Sequence, residues 1–295
     1  MRQTRLGSFT IGAIAYGCWR FAGSTPAEAQ EKIETALDAG MTLIDTADIY
    51  GYGEPCGFGG AEAVLGEVLA ASPDLRDRMV LATKGGIIPP RPYDSGSDYL
   101  ISAAEASLKR LRVEQIDLYQ IHRPDLTAPV AETANALDTL IASGKVKHVG
   151  VSNFTVAQTR ALQAHLSAPL VSTQPEFSAV HQDPVTDGTL DWCSETGAAC
   201  LAWSPLGGGR LVTRDLRDER ERRVHAILAR IAERLGTDIS NAALAFILKH
   251  QANVVPIIGT QTPARIRASA AAAGLDFTAR DFYDIVEAWR GVPMP

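Results

Sequence analysis

Short apolar runs alternate with helix-period segments along the whole chain. The runs fall at 11–17, 41–45, 79–84, 116–122, 146–153, 170–176, 199–206 and 254–259, eight in all. None shows the strict apolar–polar alternation of a half-exposed antiparallel strand. Each therefore reads as a strand buried on both faces, as in a parallel sheet. The segments between them carry helix signals. In TPAEAQEKIETALDAG, Thr25 is placed to cap, Pro26 to open the first turn and Gly40 to end the helix. Similar patterns span 98–111, 130–144, 155–166 and 189–197. Two helical segments, 222–236 and 240–250, precede the eighth run; 262–274 follows it, and a last helix covers 278–290.

Eight strands each followed by a helix, with no composition break, predict a single-domain α/β fold. The architecture is a (β/α)8 TIM barrel over 1–295, with an extra helix before strand 8 and a short C-terminal helix at about 278–290. A doubly wound open sheet is the alternative. It fits less well because the first strand–helix turn, AYGCWRFAG, holds only Gly17 and Gly23 rather than G-x-G-x-x-G.

Composition narrows the function classes. The chain has 295 residues, 46% of them apolar, and a net charge of −6. Its one basic-looking run, 214–223, alternates in sign and reads as a solvated helix start, so a nucleic-acid partner is not expected. Cys18, Cys56, Cys193 and Cys200 form no CxxC and have no histidine at metal-ligand spacing, so no metal is expected. No leader-like or membrane-length apolar run is present. The expectation is a reduced, cytoplasmic protein without a membrane partner, monomeric by default.

The candidate chemistry sits where strands end. The second run delivers Asp45 with Tyr50 just beyond, the third Lys84 and the fourth His122, all toward one edge of the sheet. In a barrel that edge carries the active site. A neighbouring ammonium stabilises a phenolate and lowers the tyrosine pKa, and a buried lysine needs an anion such as Asp45 to stay charged. His122 can hydrogen-bond a substrate oxygen. Together these groups suit protonation of a carbonyl oxygen while hydride reaches its carbon.

The motifs D-T-A-D-I-Y-G at 45–51, Lys84, I-H-R-P-D at 121–125, the GVSNF stretch and W-S-P-L-G-G-G at 203–209 resemble the aldo-keto reductase superfamily in order and spacing. The resemblance implies an NADPH-dependent reductase of small aldehydes and ketones, with Asp45, Tyr50, Lys84 and His122 as catalytic tetrad and Tyr50 as general acid. It implies cofactor contacts from Gly17, Cys18 and Trp19 and from Ser152, Asn153 and Gln174 around the nicotinamide carboxamide. Trp203 would stack on the ring, with Ser204, Pro205, Leu206 and Gly208 in a loop over the pyrophosphate. Ile258, Gly259, Thr260, Arg265 and Ser269 would lie toward the adenosine end. Arg265 would meet the 2′-phosphate, which favours NADP(H) over NAD(H). Gly259 replaces a frequent lysine, and Ala268-Ser269 replaces the usual Glu-Asn pair. Trp19, Tyr50, His122 and Arg123 would line the substrate pocket. Two other readings are a redox-sensing NADP(H)-binding subunit with little turnover, and a metal hydrolase using Asp45, His122 and Glu176.

Overall fold

The computed structural model describes residues 1–295. Eight parallel strands close in sequence order into a barrel: β1 Ala15–Gly17, β2 Leu43–Asp45, β3 Val80–Gly85, β4 Ile116–Ile121, β5 Val146–Ser152, β6 Leu170–Gln174, β7 Ala199–Ala202 and β8 Val254–Ile258. The ring of helices is α1 Pro26–Asp38, α2 Gly60–Ala71, α3 Ser97–Leu111, α4 Val130–Ala142, α5 Val156–Gln163, α6 Thr189–Thr196, α7 Glu219–Leu235, α8 Ile239–Lys249, α9 Pro263–Ser269 and α10 Ala279–Arg290. Helices α7 and α8 both precede β8. No helix is long and apolar enough to cross a membrane.

Helix starts follow their caps. The Thr25 hydroxyl accepts from the Glu28 amide, and the Glu28 carboxylate accepts from the Thr25 amide at 2.8 Å, a reciprocal capping box. Thr155 and Thr278 cap α5 and α10 in the same way.

Two apolar layers hold the barrel. The larger lies between strands and helices; the smaller fills the interior with Ala15, Leu43, Ala82, Leu118, Leu201 and Val255. Leu6 and Ile11 join that interior layer. They come from a hairpin, Gln3–Leu6 with Phe9–Gly12, that stoppers the N-terminal mouth. The apolar run 11–17, expected as one strand, is not continuous. The chain instead divides there: Phe9–Gly12 pairs antiparallel within the hairpin, a bend at 13–14 redirects the backbone, and only Ala15–Gly17 enters the barrel. A second small hairpin, Ile87–Ile88 with Arg91–Tyr93, stands beyond β3.

Candidate active site

Strand register aims the chemistry. Asp45 pairs with Ala82, and Lys84 with Gln120. Ala82 and Leu118 face the barrel interior. With a side-chain period of two, Asp45 and Lys84 face inward as well, at the C-terminal end. Residues 46–50 continue beside β3: the Thr46 amide donates to the Ala82 carbonyl (2.9 Å) and the Asp48 amide to the Lys84 carbonyl (3.0 Å). The Tyr50 amide then closes a turn onto the Ala47 carbonyl, bringing the phenol back over the barrel.

The Lys84 ammonium is fully buried and makes three bonds: to Asp45 Oδ2 at 2.6 Å, the Thr46 carbonyl at 2.8 Å and Tyr50 Oη at 3.2 Å. These satisfy its three donors. Asp45 Oδ1 accepts from Gln174 Nε2 at 3.0 Å. The His122 ring meets the Tyr50 ring edge-on, with centroids 5.9 Å apart, and its Nδ1 is buried without a partner. The structure thus brings Asp45, Tyr50, Lys84 and His122 into one constellation.

Electrostatics departs from the sequence expectation at one point. Burial raises the Tyr50 pKa above its ordinary value. Lys84 pulls it down, but Asp45 beside that lysine partly cancels the pull. Tyr50 is therefore a phenol near neutral pH, with Lys84 moderating rather than reversing the effect of burial. For Lys84, burial favours deprotonation, but Asp45 and then Tyr50 outweigh it and the pKa rises. Burial, then Lys84 and Arg123, push His122 well below the usual histidine range, so its imidazole is neutral. Burial likewise holds the Cys18 thiol protonated.

The residues expected around the carboxamide form one linked group. Asn153 Nδ2 donates to Ser152 Oγ (2.9 Å) and to the His122 carbonyl (3.1 Å). Ser152 Oγ donates to the Gln174 carbonyl (2.8 Å), and Trp203 Nε1 to Asn153 Oδ1 (3.0 Å). That last bond fixes the plane of a half-buried indole. Gln174 commits its Nε2 to Asp45, leaving Oε1 to accept from an incoming amide. After β7, Ser204 (φ +49°) and Gly207–Gly209, all with positive φ, form a tight loop; Pro205 is buried and Leu206 half-buried. A nicotinamide dinucleotide fits these features: a free amide acceptor, a fixed flat ring and glycine backbone open to close approach.

On the other side, Gly17 and Cys18 are buried, and Trp19 is 61% exposed at the rim. Ile258 ends β8; the Gly259 carbonyl accepts from Arg20 Nη1 (2.9 Å) and the Thr260 carbonyl from Tyr16 Oη (3.1 Å). Arg265 is exposed and makes no side-chain hydrogen bond or ion pair, so its guanidinium is free. Ser269 turns its hydroxyl back onto the Arg265 carbonyl, and that hydroxyl does not join the others. Arg123 lines an open cleft of ≈ 420 Å³ with Asn153, Glu176, His181, Asp183 and Trp203.

Sequence reasoning missed two ionic groups. Arg210 and the buried Glu221 form an ion pair that ties the loop after β7 to α7, with Glu221 hidden in the sequence within a mixed-charge run. Behind the tetrad, Glu62 accepts from Thr83 Oγ1 (2.5 Å) and Arg110 Nε (2.7 Å), with Asp48 nearby. The second acid of D-T-A-D was the only available signal.

Known proteins share this sequence pattern and this fold. The aldo/keto reductase family model matches residues 13–290. A 6-dehydroglucose reductase of Novosphingobium aromaticivorans is 47% identical, covering 100% of this chain and 97% of its own length. A 6-dehydroglucose reductase of Agrobacterium fabrum is 39% identical, covering 93% of each. The crystal structure of a thermostable aldo-keto reductase in complex with the inhibitor epalrestat superposes with a TM-score of 0.84 at 27% identity, covering 98% of this chain and 100% of that one. The chain is a (β/α)8-barrel oxidoreductase and belongs to the aldo-keto reductase family.

Proposed function

We propose that the protein is an NADPH-dependent reductase of small hydroxylated aldehydes, with Tyr50 as the proton donor. The observation that carries this reading is the Lys84 ammonium, held by Asp45 at 2.6 Å and touching Tyr50 Oη at 3.2 Å at the C-terminal end of the barrel. A bound nicotinamide cofactor supplies hydride for a carbonyl carbon. The protein's own groups do the rest. Tyr50 holds a proton at Oη and passes it to the carbonyl oxygen. Lys84 offsets the phenolate charge as it forms, and Asp45 keeps Lys84 charged. The neutral His122 ring, beside the Tyr50 phenol, orients the carbonyl oxygen through one hydrogen bond.

Ser152, Asn153 and Gln174 would hold the carboxamide and Trp203 the ring face. The loop 204–209 would cover the pyrophosphate, and the free Arg265 would receive the 2′-phosphate that distinguishes NADPH from NADH.

For the substrate, similarity to two 6-dehydroglucose reductases supports a sugar aldehyde. 6-Dehydroglucose is glucose with an aldehyde in place of its C6 alcohol. A rim with an exposed indole, Trp19, and a polar cleft beside Arg123 suits a hydroxylated body better than an apolar one.

The test is a fluorescence titration with NADPH and NADH, followed by nicotinamide absorbance on adding 6-dehydroglucose or benzaldehyde. The reading expects tighter NADPH binding and a preference for the sugar aldehyde of about tenfold or more in kcat/KM. Tyr50→Phe should keep cofactor binding and lose about 10²–10⁴-fold in kcat. Turnover unchanged in Tyr50→Phe would refute the donor assignment. Binding without turnover of any aldehyde would favour the redox-sensing subunit.

A further inference from the structure

Of the two buried acids behind the tetrad that the mechanism does not use, Glu62 is paired with Arg110 and Asp48 has no ion-pair partner. It is 1% exposed, and neither carboxyl oxygen has a hydrogen bond of good geometry; the Ile49 amide offers only a weak approach. The groups around it come from four elements. Glu62 of α2 is already bound by Thr83 and Arg110; Lys84 of β3 is committed to Asp45 and Tyr50. From β4 comes the Tyr119 hydroxyl, itself buried and unpartnered, and from α3 come Tyr99 and Arg110. A side chain at Gly85 would strike Tyr119 Oη at 2.0 Å and Asp48 Oδ2 at 3.3 Å, so both groups crowd the same bare stretch of β3.

Charge balance follows from the pairing. Three carboxylates, Asp45, Asp48 and Glu62, face two cations, Lys84 and Arg110, and both cations have direct partners among the other two acids. A buried anion without a partner costs several kcal/mol, so the unmatched acid keeps its proton instead. Burial first, and Glu62 second, raise the Asp48 pKa well above the ordinary carboxylate value.

We propose that Asp48 is a positioning residue that works only as the neutral acid: its proton lets residues 46–50 lie sealed against β3 and so holds Tyr50 on Lys84. The Asp48 amide anchors that segment to the Lys84 carbonyl, and Tyr50 follows two residues later. Ionised, the carboxylate has no cation left to pair with it. It draws in water or swings outward, and the segment carrying Tyr50 moves with it. The consequence is an alkaline limb of the reductase profile set by Asp48 rather than by Tyr50 itself. This arm rests on the reductase reading; the protonation state does not.

Two measurements on the full-length protein separate those parts. Infrared difference spectra at neutral pH should contain a protonated-carboxyl C=O band that Asp48→Asn removes and that bleaches on titration to alkaline pH. Its absence from the wild type would overturn the proposal whatever the enzyme reduces. In pH profiles of kcat/KM normalised to their plateaus, Asp48→Asn should move the alkaline midpoint up by on the order of one pH unit. Glu62→Gln, which removes the charge that helps retain the proton, should move it down. Superposable profiles for wild type and both variants would refute the positioning role. A native fold without activity in Asp48→Asn would also refute it, because the acid itself and not its proton would then be required.

Discussion

Lys84 and Asp45 stabilise each other in a place where neither could stand alone, and this can be measured. Lys84→Met leaves the Asp45 carboxylate, 3% exposed, with Gln174 Nε2 as its only side-chain partner. Asp45→Asn leaves a fully buried ammonium on the Thr46 carbonyl and Tyr50 Oη. Breaking a buried pair by removing one member costs about 3–5 kcal/mol, because the survivor is an uncompensated charge. The double variant Asp45→Asn/Lys84→Met has no such survivor. It should be more stable than the sum of the single losses implies, with a coupling of about 2–3 kcal/mol. The assay is urea unfolding at neutral pH of all four proteins, followed by circular dichroism and tryptophan fluorescence. Losses that add within about 0.5 kcal/mol would mean the ion pair is not the organising contact. The pH dependence has a definite sign. The folded pKa of Lys84 lies above its ordinary value, since Asp45 and Tyr50 outweigh burial. Its contribution is therefore complete below about pH 10.4, the unfolded value, and is lost as pH rises through the folded one. Lys84→Met should remove that alkaline loss.

Two other substitutions bear on the wall behind the tetrad. Asp48 has a folded pKa raised by burial and then by Glu62, so it opposes folding once the unfolded chain can ionise. The stability of Asp48→Asn relative to wild type should grow by about 1.4 kcal/mol per pH unit from near pH 4 upward, until the folded acid ionises; parallel stability–pH curves would exclude a buried proton at this residue. Gly85→Ala would place a methyl 2.0 Å from Tyr119 Oη, a fully buried ring that cannot swing away. It should cost about 1–3 kcal/mol in thermal melts, and adding Tyr119→Phe should recover part of that loss.

Much of the barrel is legible in the sequence because its signal is local. A strand buried on both faces is a short apolar run, and a helix announces itself by cap and period, as at Thr25 and Glu28. Asp45, Lys84 and His122 are legible for a related reason: charged or titratable groups closing apolar runs have no structural excuse. The hairpin at 3–12 is not legible, since Ile11 and Ala15 both feed the interior layer and only a turn of backbone between them separates plug from wall. The ion pairs Glu62–Arg110 and Arg210–Glu221 are fixed by tertiary packing, and nothing in a run of mixed charges says which member will be buried.

The Tyr50 pKa is where local reading and structure part, and the difference has a functional sign. Placing a lysine beside a tyrosine argues for a lowered pKa. The full site answers otherwise, because the same burial that keeps Lys84 on Asp45 also penalises the phenolate, and Asp45 takes back part of what Lys84 gives. In the proposed mechanism the donor must begin protonated, so reduction would find Tyr50 in the required form at neutral pH. Alcohol oxidation needs the phenolate, whose fraction at pH 7 is below about 10⁻³ for any pKa above 10. Oxidation should therefore rise about tenfold per pH unit above neutrality, while reduction stays level until its alkaline limb. Initial rates in both directions, at saturating cofactor in matched buffers, test this. A pH-independent oxidation rate limited by chemistry would show that Tyr50 is not the group exchanging the proton.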